Sequence, residues 1–358
     1  MDLNALGPLR FQEQYFERIW GGRRLASVYG KTLPPDVPIG EAWLVSDHPS
    51  AESVVSDGPL QGQTLRQLLD YDARAILGSR AVLTVHGRFP LLLKLLDSSD
   101  WLSVQVHPDD ACAARLGEPD VGKTEMWHVL HAEPGSELIC GLAPSVSRGE
   151  LLHAVQSGTL GQLLPRFTVA QGDSVFVRAG TVHAIGGGIL LAEIQQNSDL
   201  TYRLYDWDRV DASGTPRALH IEASAEAIHF GSHHGGKSGP LVFPGDSPTG
   251  GKREILAACR YFAAERIACP AQWRRETRSE SFHLLLCIRG ELTVSCGAGD
   301  AHLTPGQACL VPGRFPAFEV EGPADFLDYH VPNLETDIFS PLTGVYSQEE
   351  IARVADSH

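Results

Sequence analysis

The stretch that decides the fold is 100-DWLSVQVHPDD-110, because polar and apolar side chains alternate along it. One parity holds Trp101, Ser103, Gln105 and His107, and the other holds Leu102, Val104 and Val106. Two periods of alternation predict a β-strand. The polar face carries a hydroxyl, an amide and an imidazole instead of the Lys, Glu and Thr that usually face water. This composition indicates the wall of a polar site.

Composition limits the class of protein. The chain has 358 residues, of which 43% are hydrophobic and 20% are charged, as in a globular protein long enough for two domains. Its 36 glycines and 23 prolines are spread along the chain and favour many turns and a mainly β fold. The net charge of −15 argues against a nucleic-acid partner. An anionic substrate would therefore need a locally basic pocket.

Cysteine usage and hydropathy indicate a cytoplasmic protein. The seven cysteines form no CxxC motif and are odd in number, so we expect no structural disulfides. The N-terminal stretch has no uninterrupted apolar run, and no segment reaches 18 apolar residues. We expect neither secretion nor a membrane span.

Local patterns predict a few helices between the strands. The run 64-TLRQLLDYDARAILG-78 has apolar residues at helical spacing, with Thr64 as N-cap and Gly78 as the stop. Residues 147–164 predict a helical insertion, and 347–358 a short terminal helix. The run 124-TEMWHVLHAEPGSELICGL-142 predicts a hairpin around its Pro-Gly pair.

A segment rich in Gly, Ser and Pro, residues 231–251, is the best linker candidate. It separates two β-rich blocks. We therefore expect a first domain with N-terminal strands and helical insertions over 1–235, a second β domain over 252–331, and a tail over 332–358.

A similar sequence pattern occurs in both blocks. The stretches 170-AQGDSVFVRAGTVHAIGGG-188 and 304-TPGQACLVPGRFPAFEVEG-322 both run from a Gly through a strand and a tight turn into another strand. This pattern resembles the second motif of cupins, small double-sheet β-barrels that hold a metal. His183 follows the first turn, whereas Pro316 or its neighbour follows the second. We expect the second domain to lack metal ligands and to be structural, with His330 an ordinary surface or core histidine.

Four side chains of the first block suit a divalent metal. Gln105 and His107 lie two apart on one strand and point to the same side. Glu125 lies on the next strand, and His183 follows the turn. Two imidazoles, a carboxylate and an amide oxygen suit Zn²⁺, and Mn²⁺ or Fe²⁺ would accept the same ligand types.

The wider context of these residues resembles the type I mannose-6-phosphate isomerases, a cupin family. The resemblance lies in 89-FPLLLKLLDSSDWLSVQVHPDD-110, 122-GKTEMWHVL-130, 179-AGTVHAIGGGILLAEIQQNSDLTYRLYDWDR-209 and, more weakly, 39-IGEAWLVSDHPS-50. It covers residues 8–230 and is closest to the short bacterial form. It implies a mainly β fold of two cupin-like jelly-roll barrels with a few short helices, and a metal site in the first barrel.

The resemblance also implies roles for single residues. One zinc per chain would be held by Gln105, His107, Glu125 and His183. Arg203 and Asp199 fall in an S-D-x-x-x-R segment, Lys94 and Lys123 match family lysines, and Ser103 matches a serine that faces the substrate. Many relatives have H-K-P-E where this chain has 122-GKTE-125, which leaves a role for that histidine without a residue here.

The implied reaction interconverts mannose 6-phosphate and fructose 6-phosphate by moving a proton between C2 and C1 through an enediol(ate). Arg203 would add permanent positive charge beside the oxyanion. Lys123 and Lys94 are the candidate phosphate ligands. The base stays open between Asp199, Glu193 and a hydroxide on the metal.

Three other functions compete with this isomerase reaction. A metal-dependent isomerase of another sugar phosphate, such as glucose 6-phosphate, would use identical ligands. A regulatory cupin without turnover would not need Arg203 and Lys123 beside an open zinc, and a cupin dioxygenase would favour an iron held mainly by histidines. The expected partner is a phosphorylated hexose, and the chain is expected to be a monomer or a homodimer.

The opening stretch then has a predicted place. Ser103, Gln105 and His107 should line the inside of the barrel with Glu125 and His183. Leu102, Val104 and Val106 should pack outward beneath other elements.

Overall fold

A computed structural model of the chain describes residues 5–210, 214–231, 235–245 and 251–356, and most of its regular structure is β-strand. This confirms the predicted fold class. All seven cysteines are buried and free, as expected from their spacing. Within the described ranges, no helix is both long and apolar enough to cross a bilayer.

The chain forms two compact units. The first β domain comprises Tyr15–Ala42 and Leu95–Lys237, and the second comprises Met1–Gln14, Trp43–Lys94 and Ser238–His358. The chain passes from one unit to the other within three strands, β1 (Gln14–Gly22), β2 (Ile39–Val45) and β5 (Leu91–Ser98), so both units are discontinuous in sequence. The boundaries 1–235, 252–331 and 332–358, which were inferred from the linker, stay predictions.

The first β domain has two antiparallel sheets around a core. One sheet has the order β1 (Gln14–Gly22), β2 (Ile39–Val45), β5 (Leu91–Ser98), β12 (Ile189–Gln196), β7 (Glu125–Ala132), β10 (Ser174–Val177). The other has the order β13 (Tyr202–Tyr205), β6 (Val104–Val106), β11 (His183–Ile185), β8 (Glu137–Cys140), β9 (Arg166–Thr168). Trp127, Leu138 and Ile185 pack together in the core between them. Strands such as β12 are buried along their whole length, because both of their faces are covered.

The second β domain repeats this plan. One sheet has the order β14 (Leu241–Val242), β15 (Lys252–Ala258), β16 (Ala263–Cys269), β23 (Ala324–His330), β18 (His283–Gly290), β21 (Ala308–Val311). The other has the order β17 (Gln272–Glu276), β22 (Ala317–Glu321), β19 (Leu292–Cys296), β20 (Gly299–Leu303), and β3 (Asp47–His48) pairs with β4 (Ala51–Glu52). Leu285, Val294, Phe318 and Phe326 belong to the core between the two larger sheets.

Seven short α-helices complete the described structure. They are α1 (Arg24–Tyr29), α2 (Leu65–Leu77), α3 (Asp110–Leu116), α4 (Arg148–Gln156), α5 (Ile221–Ala227), α6 (Ser340–Leu342) and α7 (Gln348–Val354). The predicted helices at 64–78, 147–164 and 347–358 are confirmed. Thr64 caps α2 in a capping box with Gln67, since each side chain bonds to the backbone N–H of the other residue.

The predicted hairpin around Pro134 and Gly135 is wrong. Strands β7 and β8 flank this turn but pair in different sheets, β7 with β10 and β12, and β8 with β9 and β11. The turn is therefore a corner between two packed sheets. Corners of this kind close a two-layer β fold, and a turn signal does not distinguish them from hairpins.

The opening stretch forms β6, which is shorter than its alternation suggests. Val104 and Val106 are fully buried on the outer face of the sheet against Leu151 of α4, as predicted. Leu102 was predicted to pack outward and does not. It precedes the strand and packs in the inner core with Trp127, because the alternation of side chains holds only while the backbone is a strand.

The two β domains agree in strand order and in register. Glu125 begins β7 and lies opposite Val177 of β10 and Gln195 of β12. His283 begins β18 and lies opposite the last residues of β21 and β23. The similar pattern in the two sequence blocks therefore corresponds to a repeated sheet, and His283 occupies the register position of Glu125.

Candidate metal centre

Three predicted ligands meet inside the first β domain. His107 directly follows β6, Glu125 begins β7, and His183 begins β11; each is 1% exposed. Nε2 of His107 lies 3.5 Å from Oε2 of Glu125, and Nε2 of His183 lies 3.5 Å from Oε1 of the same carboxylate. Two imidazoles therefore converge on one buried carboxylate.

Backbone carbonyls hold both imidazole rings in one orientation. Nδ1 of His107 lies 2.6 Å from the carbonyl oxygen of Leu200, and Nδ1 of His183 lies 2.8 Å from that of Thr181. Each Nδ1 therefore donates, which leaves the lone pair on Nε2, the nitrogen that faces the cluster. This second hydrogen bond is usual for metal-binding histidines.

Gln105 supplies the fourth polar group. It pairs with His183 across β6 and β11, and its side-chain amide lies 3.3 Å from Nε2 of that histidine. Its Oε1 accepts a hydrogen bond of 3.1 Å from the buried hydroxyl of Ser103. Because the two ends of an amide exchange by a half-turn of the side chain, the carbonyl oxygen can face the cluster. Ser103, Gln105 and His107 therefore share the inner side of the strand, as predicted.

The separations between these groups fit a metal ion. Ligand atoms around a tetrahedral zinc with bonds of about 2.0–2.1 Å lie roughly 3.3–3.4 Å apart. The three separations here are 3.3, 3.5 and 3.5 Å. Burial also lowers the pKa of the His183 imidazole to about 4, so that this ring is neutral at neutral pH, as a ligand must be.

Two cationic side chains border the cluster. Nζ of Lys123 is buried 3.0 Å from Oε2 of Glu125. Arg203 lies on β13 opposite Gln105. Nε of Arg203 has no hydrogen-bond partner among the described residues, and the nearby Asp206 pairs instead with Arg209 and Arg217.

Glu193 is connected to the cluster through Trp127. The indole N–H of Trp127 donates a 2.8 Å hydrogen bond to Oε2 of Glu193. The indole ring meets the His183 imidazole edge to face, with centroids 5.4 Å apart. Trp127 packs in the core and at the same time holds a buried carboxylate in place. The sequence signal was present, because Trp127 has the parity of Glu125 on the same strand.

Lys94 and Asp199 are the remaining predicted site residues. Lys94 belongs to the second unit and is buried, with Nζ 5.5 Å from the centroid of the Trp43 ring. Asp199 is exposed, and its backbone N–H bonds to Asp120. Asp199 also raises the pKa of Arg203 through its charge, although burial dominates and lowers it.

Gly122 stands where many relatives have a histidine, and the surrounding backbone leaves no space for a side chain there. A Cβ atom at Gly122 would lie 2.4 Å from the backbone nitrogen of Asp110. The backbone N–H of Gly122 donates to the Asp110 carboxylate. Position 122 thus closes tightly on the start of α3 and has no room for an imidazole.

The sequence analysis missed a second buried group of possible ligands. His283, Asp328 and His330 come together in the second β domain, where no clustered ligands were expected. The signal was the pair Asp328 and His330, two residues apart on one strand. It becomes a cluster only through the pairing of β18 with β23.

Comparisons with known proteins agree on one family. The description "Phosphomannose isomerase type I, catalytic domain" matches residues 9–136, and "Mannose-6-phosphate isomerase, cupin domain" matches residues 252–331. A mannose-6-phosphate isomerase of Streptococcus mutans is 34% identical over 90% of this chain and 98% of its own length. One of Bacillus subtilis is 36% identical over 90% of this chain and 99% of its own length.

A solved structure agrees with these relatives. The crystal structure of the mannose 6-phosphate isomerase from Bacillus subtilis matches with a TM-score of 0.82 at 32% identity. The match covers 91% of this chain and 100% of that one.

Proposed function

Since the chain belongs to the type I phosphomannose isomerase family, we propose that it interconverts mannose 6-phosphate and fructose 6-phosphate through an enediol(ate), with one zinc ion per chain. The observation that carries the proposal is the convergence of His107, Glu125 and His183 at metal-ligand separations, with an amide and two cations beside them. The family is metal-dependent, and the donor set suits zinc.

The residues that would hold the ion are Gln105, His107, Glu125 and His183. When bound, zinc would supply a Lewis acid for the sugar carbonyl and the adjacent hydroxyl. The fixed Nδ1 bonds of both histidines mean that little reorganisation is needed to present their lone pairs.

Arg203 is the group that we assign to the developing negative charge. It lies opposite Gln105, is half-buried, and has a buried Nε atom without a hydrogen-bond partner among the described residues. A guanidinium that is not held by a carboxylate can turn toward an oxyanion, and it keeps its proton throughout the reaction. Its loss should therefore lower kcat more than substrate affinity.

Lys123 is better suited to the reacting end of the sugar than to the phosphate. Its ammonium group is buried 3.0 Å from the Glu125 carboxylate. At that position it neutralises the carboxylate and orients it toward the histidines. Lys94 keeps the proposed phosphate role on its sequence match, and Ser103 keeps the proposed substrate contact on the inner face of its strand.

Glu193 and Asp199 stay the two candidate side chains for the base. Glu193 is buried and fixed by Trp127, whereas Asp199 is exposed. The variants Glu193→Gln and Asp199→Asn distinguish them. Loss of the base removes the rising limb of the pH–rate profile, whereas loss of a positioning carboxylate lowers the rate at every pH.

The direct test combines metal analysis of the purified protein with a coupled assay on mannose 6-phosphate. We expect chelation to abolish activity and zinc to restore it. Glucose 6-phosphate serves as the control substrate, because an isomerase for that sugar would use the same ligands. Full activity without metal, or a preference for glucose 6-phosphate, would overturn the proposal.

A further inference from the structure

The second β domain contains its own buried pair of histidines with a carboxylate. The rings of His283 and His330 have centroids 4.8 Å apart, close to the 4.7 Å between His107 and His183. Nδ1 of His283 lies 2.7 Å from Oδ1 of Asp328. Their ligand atoms lie within the range that one metal ion spans.

The strand register places this group where the repeated fold has its polar site. His283 has the register position of Glu125. Asp328 lies opposite the residue two after His283, as Glu193 lies opposite the residue two after Glu125. His330 lies opposite His283, and in the same way Gln195 lies opposite Glu125. The second domain therefore carries donors on the two strands that correspond to β7 and β12.

Two atoms of the group have unsatisfied hydrogen-bonding capacity. Oδ2 of Asp328 and Nδ1 of His330 are buried and have no hydrogen-bond partner among the described residues. A cation would satisfy both atoms at once, with His330 in the tautomer that has its lone pair on Nδ1.

The surrounding charges are compatible with a cation. Nη2 of Arg275 lies 3.4 Å from Nε2 of His330, but this guanidinium also pairs with the buried Glu265 at 2.9 Å. The first cluster likewise has an ammonium group, that of Lys123, 3.0 Å from its carboxylate. Nε2 of His330 faces Oε1 of Glu265 at 3.9 Å. A metal on Nδ1 would leave the proton on Nε2, so Arg275, which can only donate, would have to give up its approach to that nitrogen and keep its pairing with Glu265.

The group also borders open space. A cavity of ≈ 450 Å³ is lined by His283, His330, Arg275 and Thr277 among others. It provides an entry path and room for a further ligand.

From these observations we propose that His283, Asp328 and His330 bind a second divalent transition-metal ion, separate from the site at His107, Glu125 and His183. The ion replaces the proton between Nδ1 of His283 and Oδ1 of Asp328, and that proton is released to solvent. Imidazole and carboxylate ligands favour Zn²⁺, Co²⁺, Ni²⁺ or Fe²⁺ over Mg²⁺ or Ca²⁺.

Co²⁺ titration of the metal-free full chain tests this proposal, because visible absorption and calorimetry both count bound Co²⁺. We expect two Co²⁺ per chain for the wild type, and one each for His107→Ala and His330→Ala. His330→Ala should keep its isomerase activity within about twofold, because the proposed second site does not contact the substrate.

His302→Ala is the matched control. His302 lies in the same domain but is exposed beside Glu291 and outside the cluster. This variant should bind two Co²⁺. His283→Gln, which preserves volume, replaces His330→Ala if the latter does not fold, and it too should bind one.

The proposal is overturned if the wild type binds a single Co²⁺ that only His107→Ala abolishes. His283, Asp328 and His330 would then be a closed hydrogen-bond network. This outcome is independent of the isomerase assay, so it leaves the proposed function standing. Equal loss of Co²⁺ in His302→Ala and His330→Ala would also overturn it, because it would indicate surface binding.

Discussion

The two β domains share a strand order and a register, yet they place polar groups differently. In the first, the cluster receives side chains from both sheets: Glu125 from one, and His183, with Gln105 beside it, from the other. In the second, His283, Asp328 and His330 all lie on one sheet. The repeated strand order therefore fixes where a cluster of ligands can form. The second sheet of each domain, which we call the facing sheet, decides which further ligands the cluster receives.

The facing sheet of the second domain has lost the matching donors. Phe318 pairs with Arg275 across β22 and β17, as His183 pairs with Gln105 across β11 and β6. Phe318 belongs to the core and meets His283 edge to face, with centroids 5.1 Å apart. A hydrocarbon ring and a buried guanidinium thus replace an imidazole and an amide. At these two positions the facing sheet of the second domain therefore offers no metal ligand.

The largest expected effect is the loss of a ligand from the first cluster. His107→Ala should lower kcat/KM on the order of 10⁴-fold, because it removes most of the Lewis-acid contribution. His283→Ala should lower it less than about twofold. Coupled assays of the two variants, with far-UV spectra as the folding control, test the comparison. A matching large loss in His283→Ala would mean that both domains serve the reaction.

The sequence alone could predict most of the first cluster, for identifiable reasons. Strand parity places Gln105 and His107 on one face, and the turn before His183 has a recognisable pattern. Val104 and Val106 follow from the same alternation. Each of these inferences uses neighbours within one strand or one turn, where side-chain direction depends only on the backbone.

The errors have a different origin, since they depend on which strands pair. His283 and Asp328 lie 45 residues apart and meet only because β18 pairs with β23. The corner at Pro134 looks like a hairpin because the turn residues of both are alike. Leu102 was misplaced because a strand's end cannot be read from alternation. Long-range pairing, and not local propensity, limited the prediction.

The second largest effect concerns Arg275, which has the register position in the second domain that Gln105 has in the first. Arg275→Leu should destabilise the fold by about 3–5 kcal/mol, because it leaves the buried carboxylate of Glu265 with one cation fewer. Gln105→Leu should cost far less, since Gln105 is uncharged. Urea unfolding at pH 7 measures both. Equal losses in the two variants would show that charge is not what distinguishes the facing sheets.

The ion pair of Arg275 with Glu265 also makes the stability of the fold depend on pH. Burial would raise the pKa of Glu265, but Arg253 and Arg275 outweigh it and hold the pKa well below its usual range. This stabilisation is present above the unfolded-state pKa of about 4.3 and is lost as pH falls through the folded-state value. Arg275→Leu should therefore begin acid unfolding at a higher pH than the wild type. The double variant Arg275→Leu, Glu265→Gln should remove that shift.

A smaller effect is expected at Arg203, whose Nε atom has no hydrogen-bond partner among the described residues. Arg203→Ala should lower kcat about 10²-fold, as for the loss of one transition-state donor, while zinc content stays unchanged. Arg203→Lys should recover part of the rate, because lysine keeps the positive charge but lacks the paired N–H donors of the guanidinium. The free energy of unfolding should hardly change. A variant that loses zinc with its activity would instead assign Arg203 to holding the metal site.

The smallest effect compares matched helix caps in the two domains. Ser147 caps α4 and Ser347 caps α7, and each forms a capping box with a glutamate three residues later. Either Ser→Ala change should cost about 1 kcal/mol, whereas Ser→Thr should cost only a few tenths, because threonine keeps the oxygen that accepts the backbone N–H. Thermal unfolding monitored by circular dichroism measures all four variants. We expect Ser147→Ala and Ser347→Ala to lose similar amounts of stability. If their losses differ by more than the Ala and Thr variants of one helix differ from each other, the two domains do not contribute equally to the measured transition. Their shared scaffold would then conceal a difference in stability as well as in chemistry.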